Sequence, residues 1–507
     1  MSTDSSEQWR RTSPLAAIFY LGKIYQAIAK NLLPSIAPLA ALLFASQGNV
    51  VFKVVFGVSA FLMVTVVGAV LRYWFFRFRI TDNSVLIREG VLRKVQLDIK
   101  FDRIQGITTQ QNIVFRYFGL VTIKLDTAGS AKQEGNLPAV KMAFADSLKT
   151  RIRKEIRTAD RGSESKSGDA DSSEDTHRTL LTLNWFDMLR IGLSSNRALI
   201  LLVLLGPFMN QIGKDVEENI DESTVEAIVE GAQSGVNFGA GFVMLAIVGF
   251  LMILVMASIA GAFLTYHRFK LIADEKVLRS SGGLLTRHEH SINYAKIQSV
   301  VIDQNIVMRL FKRFRMRARQ ASSGKSALAK SFTIPLCKKD QLPMLAREIF
   351  GREFPDVILD PTDSGFLPVD KRYVRSRVLL TGVLPATIVI ALVAIPAGLP
   401  ALTLLLWIPV NYLIVRRRYK RFGVRVTPDG MAVRRGFIGF RVTSFLHRKI
   451  QRINVTQTVT QKRKGLATLR FFLASGSVKV PYIDLHQANQ LRDFALYKIE
   501  SSALAWH

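Results

Sequence analysis

Four arginines stand at alternate positions in RLFKRFRMRARQ (309–320): Arg313, Arg315, Arg317 and Arg319. Phe314, Met316 and Ala318 lie between them. A period of two predicts a strand with one cationic and one apolar face. Like charges in such a row repel unless an anion lies beside them, so the chemistry on offer is anion binding. Beside acidic lipid each basic residue would contribute about 1 kcal/mol, falling off within a Debye length. The plainer reading is a solvated face whose charges protect a sheet edge.

No constellation of comparable clarity points to catalysis. RHEH (287–290) places His288 and His290 on one side of a strand and Glu289 on the other. A third ligand at a definable spacing is missing, so no metal site is expected. GKS (324–326) resembles the end of a phosphate-binding loop, with Ser326 at the magnesium position. That loop requires a glycine five residues before Gly324, where Arg319 stands. KKD (338–340) is too short to carry information. The expectation is a protein that is not an enzyme and has no cofactor. Nucleic acid is not an expected partner either, since Phe314 faces away from the basic row and leaves no stacking platform.

The elements that must position the arginines follow from how charge and apolarity are distributed. Lysine and arginine outnumber the acids 69 to 39 in 507 residues, a net charge of +30. Yet 49% of the residues are apolar and mean hydropathy is +0.20, so the two properties must be segregated. The single cysteine, Cys337, rules out an intramolecular disulfide and suits a reducing interior. The polar start MSTDSSEQWRR precedes no short apolar stretch with a clear cleavage site, and no signal peptide is expected.

Apolar residues fall in three paired blocks: Leu32 to Ser46 with Val50 to Leu71, Ala198 to Ile212 with Phe238 to Thr265, and Val378 to Ile395 with Ala401 to Val415. A spanning helix needs roughly 20 apolar residues. Three helical hairpins, giving six spans, is the simplest total. Each pair ends in a basic collar: RYWFFRFR (72–79), HRFK (267–270) and RRRYKR (416–421). The tip between Gly213 and Gly235 instead carries Lys214 against Asp215, Glu217, Glu218, Asp221, Glu222, Glu226 and Glu230. The positive-inside rule then places both termini and the polar domains in the cytoplasm.

After each collar the periodicity becomes strand-like and repeats without a gap. Gly90 matches Gly283 and Gly436. Arg103-Ile104-Gln105 matches Lys296-Ile297-Gln298 and Lys449-Ile450-Gln451, and Gln111 matches Gln304 and Gln457. A repeated isoleucine between polar residues supplies an inward anchor for a small barrel, and a glutamine can complete a backbone bond near a strand end. We read these positions as structural. On the same alignment Arg317 coincides with Lys124 and Arg470, so one basic residue is common to all copies. Each copy closes with a proline-containing strand (Pro138, Pro335, Pro481) and an amphipathic helix, near 145–157, 341–350 and 487–501. Six or seven short strands and a terminal helix suggest a small barrel or sandwich plugged by a helix.

With paired spans, a basic collar and the G…[RK]-I-Q…Q module in triplicate, the chain resembles the bacterial membrane proteins that carry pleckstrin-homology-like (PH-like) domains of the second bacterial type, the YdbT-like group. The resemblance takes in WRRTSPLAAIFYLGKIY ahead of the first hairpin. It implies a membrane α + β fold in which each hairpin is followed by a partly open seven-stranded barrel with a C-terminal helix. The divisions expected are a first hairpin unit (1–71), PH-like domain 1 (72–157), a flexible linker (158–179) and a second hairpin unit with an acidic external tip (180–265). PH-like domain 2 (266–352), a linker (353–376), a third hairpin (377–415) and PH-like domain 3 (416–507) follow. In the third copy QTVTQKRKGL replaces QNIVFRYFGL, a departure that could mark copy-specific work.

The function expected is that of a non-enzymatic protein of the bacterial plasma membrane. Its modules would bind anionic lipid headgroups, each other or a partner protein, with envelope stress as the suggested context. Arg313, Arg315, Arg317, Arg319, Lys124 and Arg470 are the candidate anion-binding residues. A second copy, or a smaller PH-like membrane protein, is a further candidate partner. The alternative is an export or immunity protein conferring resistance to antimicrobial peptides, with the acidic tip capturing a cationic molecule.

Overall fold

The computed structural model describes residues 8–30, 50–91, 93–127, 135–161, 178–195, 238–321, 331–351 and 365–501. The first members of the first two apolar pairs, the acidic tip, GKS and most of the 158–179 linker lie outside them.

Helices α1 (Ala16–Lys30) and α2 (Val50–Phe75) lead into the first module. It contains β1 (Arg77–Ile80), β2 (Ser84–Glu89), β3 (Val95–Lys100), β4 (Ile104–Asn112), α3 (Ile113–Tyr117), β5 (Leu120–Thr127), β6 (Gly135–Lys141) and α4 (Met142–Arg161). The second module begins with β7 (Arg178–Thr182), α5 (Trp185–Leu193) and α6 (Phe238–Tyr266). It continues through β8 (Lys270–Ala273), β9 (Val277–Gly282), β10 (Thr286–Asn293), β11 (Ile297–Gln304), α7 (Ile306–Leu310), β12 (Arg313–Gln320), β13 (Ser331–Lys338) and α8 (Leu342–Phe350). The third has β14 (Leu367–Pro368), α9 (Arg372–Val378), α10 (Leu384–Ala397) and α11 (Trp407–Arg421). Its strands are β15 (Gly423–Val426), β16 (Gly430–Arg435), β17 (Phe440–Leu446) and β18 (Ile450–Thr456). After α12 (Val459–Lys462) come β19 (Leu466–Leu473), β20 (Gly476–Asp484) and α13 (Leu485–Glu500).

Among the described residues, three helical stretches are long and apolar enough to cross a membrane: Val55–Phe75, Val248–Tyr266 and Arg372–Val393. The third contains a π-helical turn at Leu379–Val383 between α9 and α10. Such a turn frees a backbone carbonyl, which apolar surroundings do not satisfy. Here the Thr381 carbonyl accepts from Asn411 Nδ2 and Trp407 Nε1, both at 3.3 Å, from α11. Gly382 allows that approach, because a Cβ there would lie 2.9 Å from the Asn411 side chain. The two members of the third pair are thereby held together.

Within a module the strands form two antiparallel halves over one core. In the first, Phe76, Phe101, Ile87, Ile123, Leu125 and Leu137 are buried between β1–β3 and β4–β6, and Ala145, Leu148 and Ile152 of α4 close the core from one helical face. The repeated glycine has a steric reason. A Cβ at Gly90, Gly283 or Gly436 would fall 1.9, 2.1 or 2.1 Å from the carbonyl oxygen three residues on, and the first two have φ of 113° and 115°. Side chains are excluded there.

The halves do not close into separate barrels. β3 and β4 are not paired with each other. Instead β4 pairs antiparallel with β10 of the next module, giving a seven-stranded sheet in the order β6-β5-β4-β10-β9-β8-β7. β11 likewise pairs with β17, giving β13-β12-β11-β17-β16-β15-β14. The ends are two three-stranded sheets, β1-β2-β3 and β18-β19-β20. Each long sheet therefore belongs half to one module and half to the next. The linker and hairpin segments drawn at 158–179, 180–265 and 353–376 also contribute strands, since β7 pairs with β8 and β14 with β15.

Candidate functional site

The arginine row forms the strand its spacing predicts. Along β12 the arginines are half-buried while Phe314, Met316, Ala318 and Gln320 are buried. The row is not uniform in its surroundings. Arg315 and Arg317 line a cleft of about 830 Å³, whereas Arg313 and Arg319 do not.

The cleft lies where the second module meets the third. β11 and β12 supply Asp303, Arg315 and Arg317. β16, β17 and β20 supply Arg435, Arg441 and Lys479, while the helices of the third apolar pair add Arg377 and Arg418. Seven basic residues thus face one acid. Asp303 bonds both Arg317 across its own sheet half and Arg441 across the junction. Arg317 Nε is buried and has no partner among the described residues. Burial and the neighbouring Arg317 and Arg441 push the Arg319 guanidinium below its usual range. Burial, followed by Arg470, Arg377 and Arg435, does the same to Lys479. Positive charge is crowded, and a bound anion would relieve it.

The far wall is the turn Gly436-Phe437-Ile438-Gly439. Arg309 of the second module donates to the Ile438 carbonyl (3.0 Å), and Arg421 of the third collar donates to that of Gly439 (3.2 Å). The Phe440 ring lies 5.9 Å from the Arg309 guanidinium and 5.0 Å from that of Arg421, within cation–π range. The wall is fixed to both modules and to the base of the third apolar pair. Arg377, Arg418, Arg435, Arg441 and Lys479 were not singled out from sequence. RRGFIGFR (434–441) and the collar hold three of the five, but nothing local shows that they converge with β12.

The residues aligned with Arg317 have different settings. Lys124 sits at the first junction, opposite Thr108 and near His288 and His290. Arg470 pairs with Asn454 and Lys479 across its strands, and its guanidinium lies 5.9 Å from the Phe472 ring. The six candidates therefore do not share one site.

His290 Nδ1 is 3.0 Å from Thr108 Oγ1, and Glu289 accepts from Thr109 (3.1 Å) and Lys149 (2.9 Å). Burial, then His288 and Lys124, brings His290 down to about 4. Burial and Lys124 also lower His288. Burial opposes the charge on Glu289, but Lys149 and Thr109 outweigh it and hold the carboxyl low. Among the described residues, no group of three or more histidines, cysteines, aspartates or glutamates forms a metal-ligating array.

The repeated glutamine motif has a shared geometry. Gln111, Gln304 and Gln457 donate to the carbonyls of Leu120, Arg313 and Leu466 at 3.0, 3.1 and 2.7 Å, tying the fourth strand of each module, counted from β1, β8 and β15, to the start of the fifth. The next residue caps the short helix: Asn112 accepts from Phe115 N, Asn305 from Met308 N and Thr458 from Gln461 N. Ile104, Ile297 and Ile450 are all buried. Their basic neighbours diverge, Arg103 being exposed, Lys296 intermediate and Lys449 buried. Lys449 donates to Ala295 O of the second module (2.8 Å), and burial, then Arg448 and Lys296, lowers its ammonium to about 8. Gln298 is buried and Gln451 exposed; the side chain of Gln105 lies outside the description.

The Bacterial PH domain family matches three stretches, residues 18–156, 225–353 and 378–499. The chain is 24% identical over 479 residues to the UPF0699 transmembrane protein YdbT of Bacillus subtilis (strain 168), covering 92% of this chain and 93% of that one. No solved structure matches. Each of the three matches takes in an apolar helix and the strands that follow it, and the chain belongs to the bacterial PH domain family as a transmembrane protein carrying the domain in triplicate.

Proposed function

We propose that this protein binds the headgroups of anionic lipids in the cleft between its second and third modules, as a binding protein and not an enzyme. The observation that carries the reading is the convergence of seven basic residues around one acid, with Arg377 and Arg418 on the helices of the third apolar pair. That position is where lipid phosphates would lie if α9–α10 and α11 cross the bilayer. The collars at 72–79, 267–270 and 416–421 support a cytoplasmic placement of the modules and both termini. A headgroup phosphate would replace the missing countercharge and accept from guanidinium groups in a forked geometry.

The test uses the full-length protein released from nanodiscs made of equal parts phosphatidylcholine and phosphatidylglycerol, with retained lipid counted by native mass spectrometry. Preferential retention of phosphatidylglycerol, weakened by salt, is expected. Replacing Arg418 and Arg441 together by glutamine removes about 2 kcal/mol, or about 25-fold in affinity. Equal retention of the two lipids, or an unchanged preference in the double variant, would remove the cleft from the account.

A further inference from the structure

The two sheet junctions are made in one register. Gln111 faces Arg287 in β4–β10, and Gln304 faces Phe440 in β11–β17. By the internal repeat Gln111 is equivalent to Gln304, while Arg287 and Phe440 each follow the repeated glycine by four residues. The remaining pairs agree, since Ile107 faces Ser291 as Val300 faces Ser444. The fourth strand of one module thus receives the third strand of the next, twice.

A chain of three modules joined this way leaves one fourth strand and one third strand over. These are β18 and β3. Among the described residues β18 pairs only with β19, and β3 only with β2. Their side chains reflect the missing neighbour. In β11, Val300, Val301 and Ile302 are 0, 0 and 1% exposed, whereas the equivalent Ile453, Asn454 and Val455 of β18 are only partly buried. In β3, Val95 is 39% exposed. Backbone donors and acceptors along such an edge are a template for another strand.

We infer that β18 of one chain pairs with β3 of a second copy, continuing the two internal junctions head to tail. The register is fixed by the repeat: Gln457 faces Lys94, Thr456 faces Val95, Val455 faces Gln96, Asn454 faces Leu97, Ile453 faces Asp98 and Arg452 faces Ile99. No two like charges are opposed in it, which antiparallel neighbours require. The contact is heterologous, joining two different surfaces, so it builds a ring where the rotation closes. Attachment of every copy to one membrane restricts the copies to rotation about the membrane normal, which favours closure over an ascending filament. Anion binding in the cleft plays no part in this inference.

Two single substitutions test it, Ile453→Cys and Asp98→Cys, each in otherwise unaltered full-length protein. Both positions are at least partly exposed, so the fold tolerates them, and the native Cys337 is 2% exposed and shielded. Directly opposed residues lie about 4.5–5.5 Å apart between Cα atoms, within disulfide reach. Membranes containing both variants, oxidised with copper phenanthroline, should yield a disulfide-linked pair of 56.8 kDa chains. The yield should be at least tenfold above that of Ile453→Cys with Lys100→Cys, which is two residues out of register. Particle mass of the unsubstituted protein in nanodiscs should correspond to two or more chains. A single-chain particle, equal yields at the two registers, crosslinking of either variant alone, or a different protein attached at either cysteine would each overturn the second-copy contact. Arg418→Gln with Arg441→Gln should leave the crosslink unchanged, so failure of lipid binding and failure of assembly are told apart.

Discussion

The junction between the first and second modules and that between the second and third share a backbone arrangement and differ in chemistry. At the first, Thr108 meets His290 and Glu289 takes bonds from Thr109 and Lys149. At the second, Asp303 bridges two arginines in a cleft of fixed positive charge. Even the close backbone approach is managed from opposite sides. Gly106 on β4 accommodates Ser291 O, 2.8 Å from where a Cβ would be, whereas Gly439 before β17 accommodates Gln304 O, at 1.6 Å. The register is a property of the repeated scaffold, while the side chains facing the seam are set copy by copy. The first junction sets two histidines beside a lysine–glutamate ion pair, while the second is lined mainly by arginines that stay charged.

The largest effect expected is at the tighter glycine. Gly439→Ala puts a methyl against the Gln304 carbonyl and should weaken the second junction by at least about 3 kcal/mol. Thr286→Ala at the equivalent place in the first junction should cost less than about 1 kcal/mol. Hydrogen exchange of the β11–β17 and β4–β10 amides reads both, and equal effects would contradict the asymmetry. Asp303→Asn comes next. It leaves Arg317 and Arg441 facing each other without their carboxylate and should destabilise by about 2–3 kcal/mol in thermal unfolding. Phosphatidylglycerol should restore part of the loss and phosphatidylcholine none, which also sharpens the lipid reading.

Acid should separate the junctions in the other direction. His290 binds a proton at about 4 in the folded protein and near 6.5 when unfolded. The unfolded chain therefore holds more protons between those values, and stability falls as pH drops from 6.5 towards 4. The ring is crowded by protein yet open to solvent on one side, which holds the effect to about 1 kcal/mol. Exchange in β4–β10 should rise over that range while β11–β17 changes less, and His290→Gln should flatten the response. The smallest effect concerns the second copy alone. Lys312 has φ of 51° where the other copies have Gly119 and Gly465 at 62° and 63°. Lys312→Gly should stabilise by about 1 kcal/mol, read by thermal unfolding, since left-handed backbone costs a side-chain-bearing residue about that much.

Much of a single module is legible in the chain. The arginine row reads as an alternating strand because neighbouring residues on a strand point to opposite faces. TDNS (81–84), ADEK (273–276) and TPDG (427–430) carry turn-forming residues between strand-like runs, and in the structure the Thr81, Asp274 and Thr427 amides donate to the carbonyls of Ser84, Val277 and Gly430. The repeated glutamine reads as completing a backbone bond near a strand end, but which carbonyl it reaches, and the helix cap supplied by the residue after it, are set by the tertiary structure. The candidate site was half legible. Arg315 and Arg317 were found by periodicity, whereas Arg435, Arg441 and Lys479 come from strands more than a hundred residues away and have no local signal linking them to β12.

By itself the sequence determined the local alphabet of this protein: three apolar segments ending in basic collars, three copies of one strand module, and the glycines and caps that shape each copy. Those features depend on side-chain spacing and backbone sterics within a few residues. The tertiary structure alone decided that no module closes on itself. Pairing β4 with β10 and β11 with β17 joins segments about 180 and 140 residues apart, and backbone hydrogen bonds carry almost no side-chain signature of which strand they will meet. The cleft exists only because that pairing brings the arginines of one copy against the turn and collar of the next.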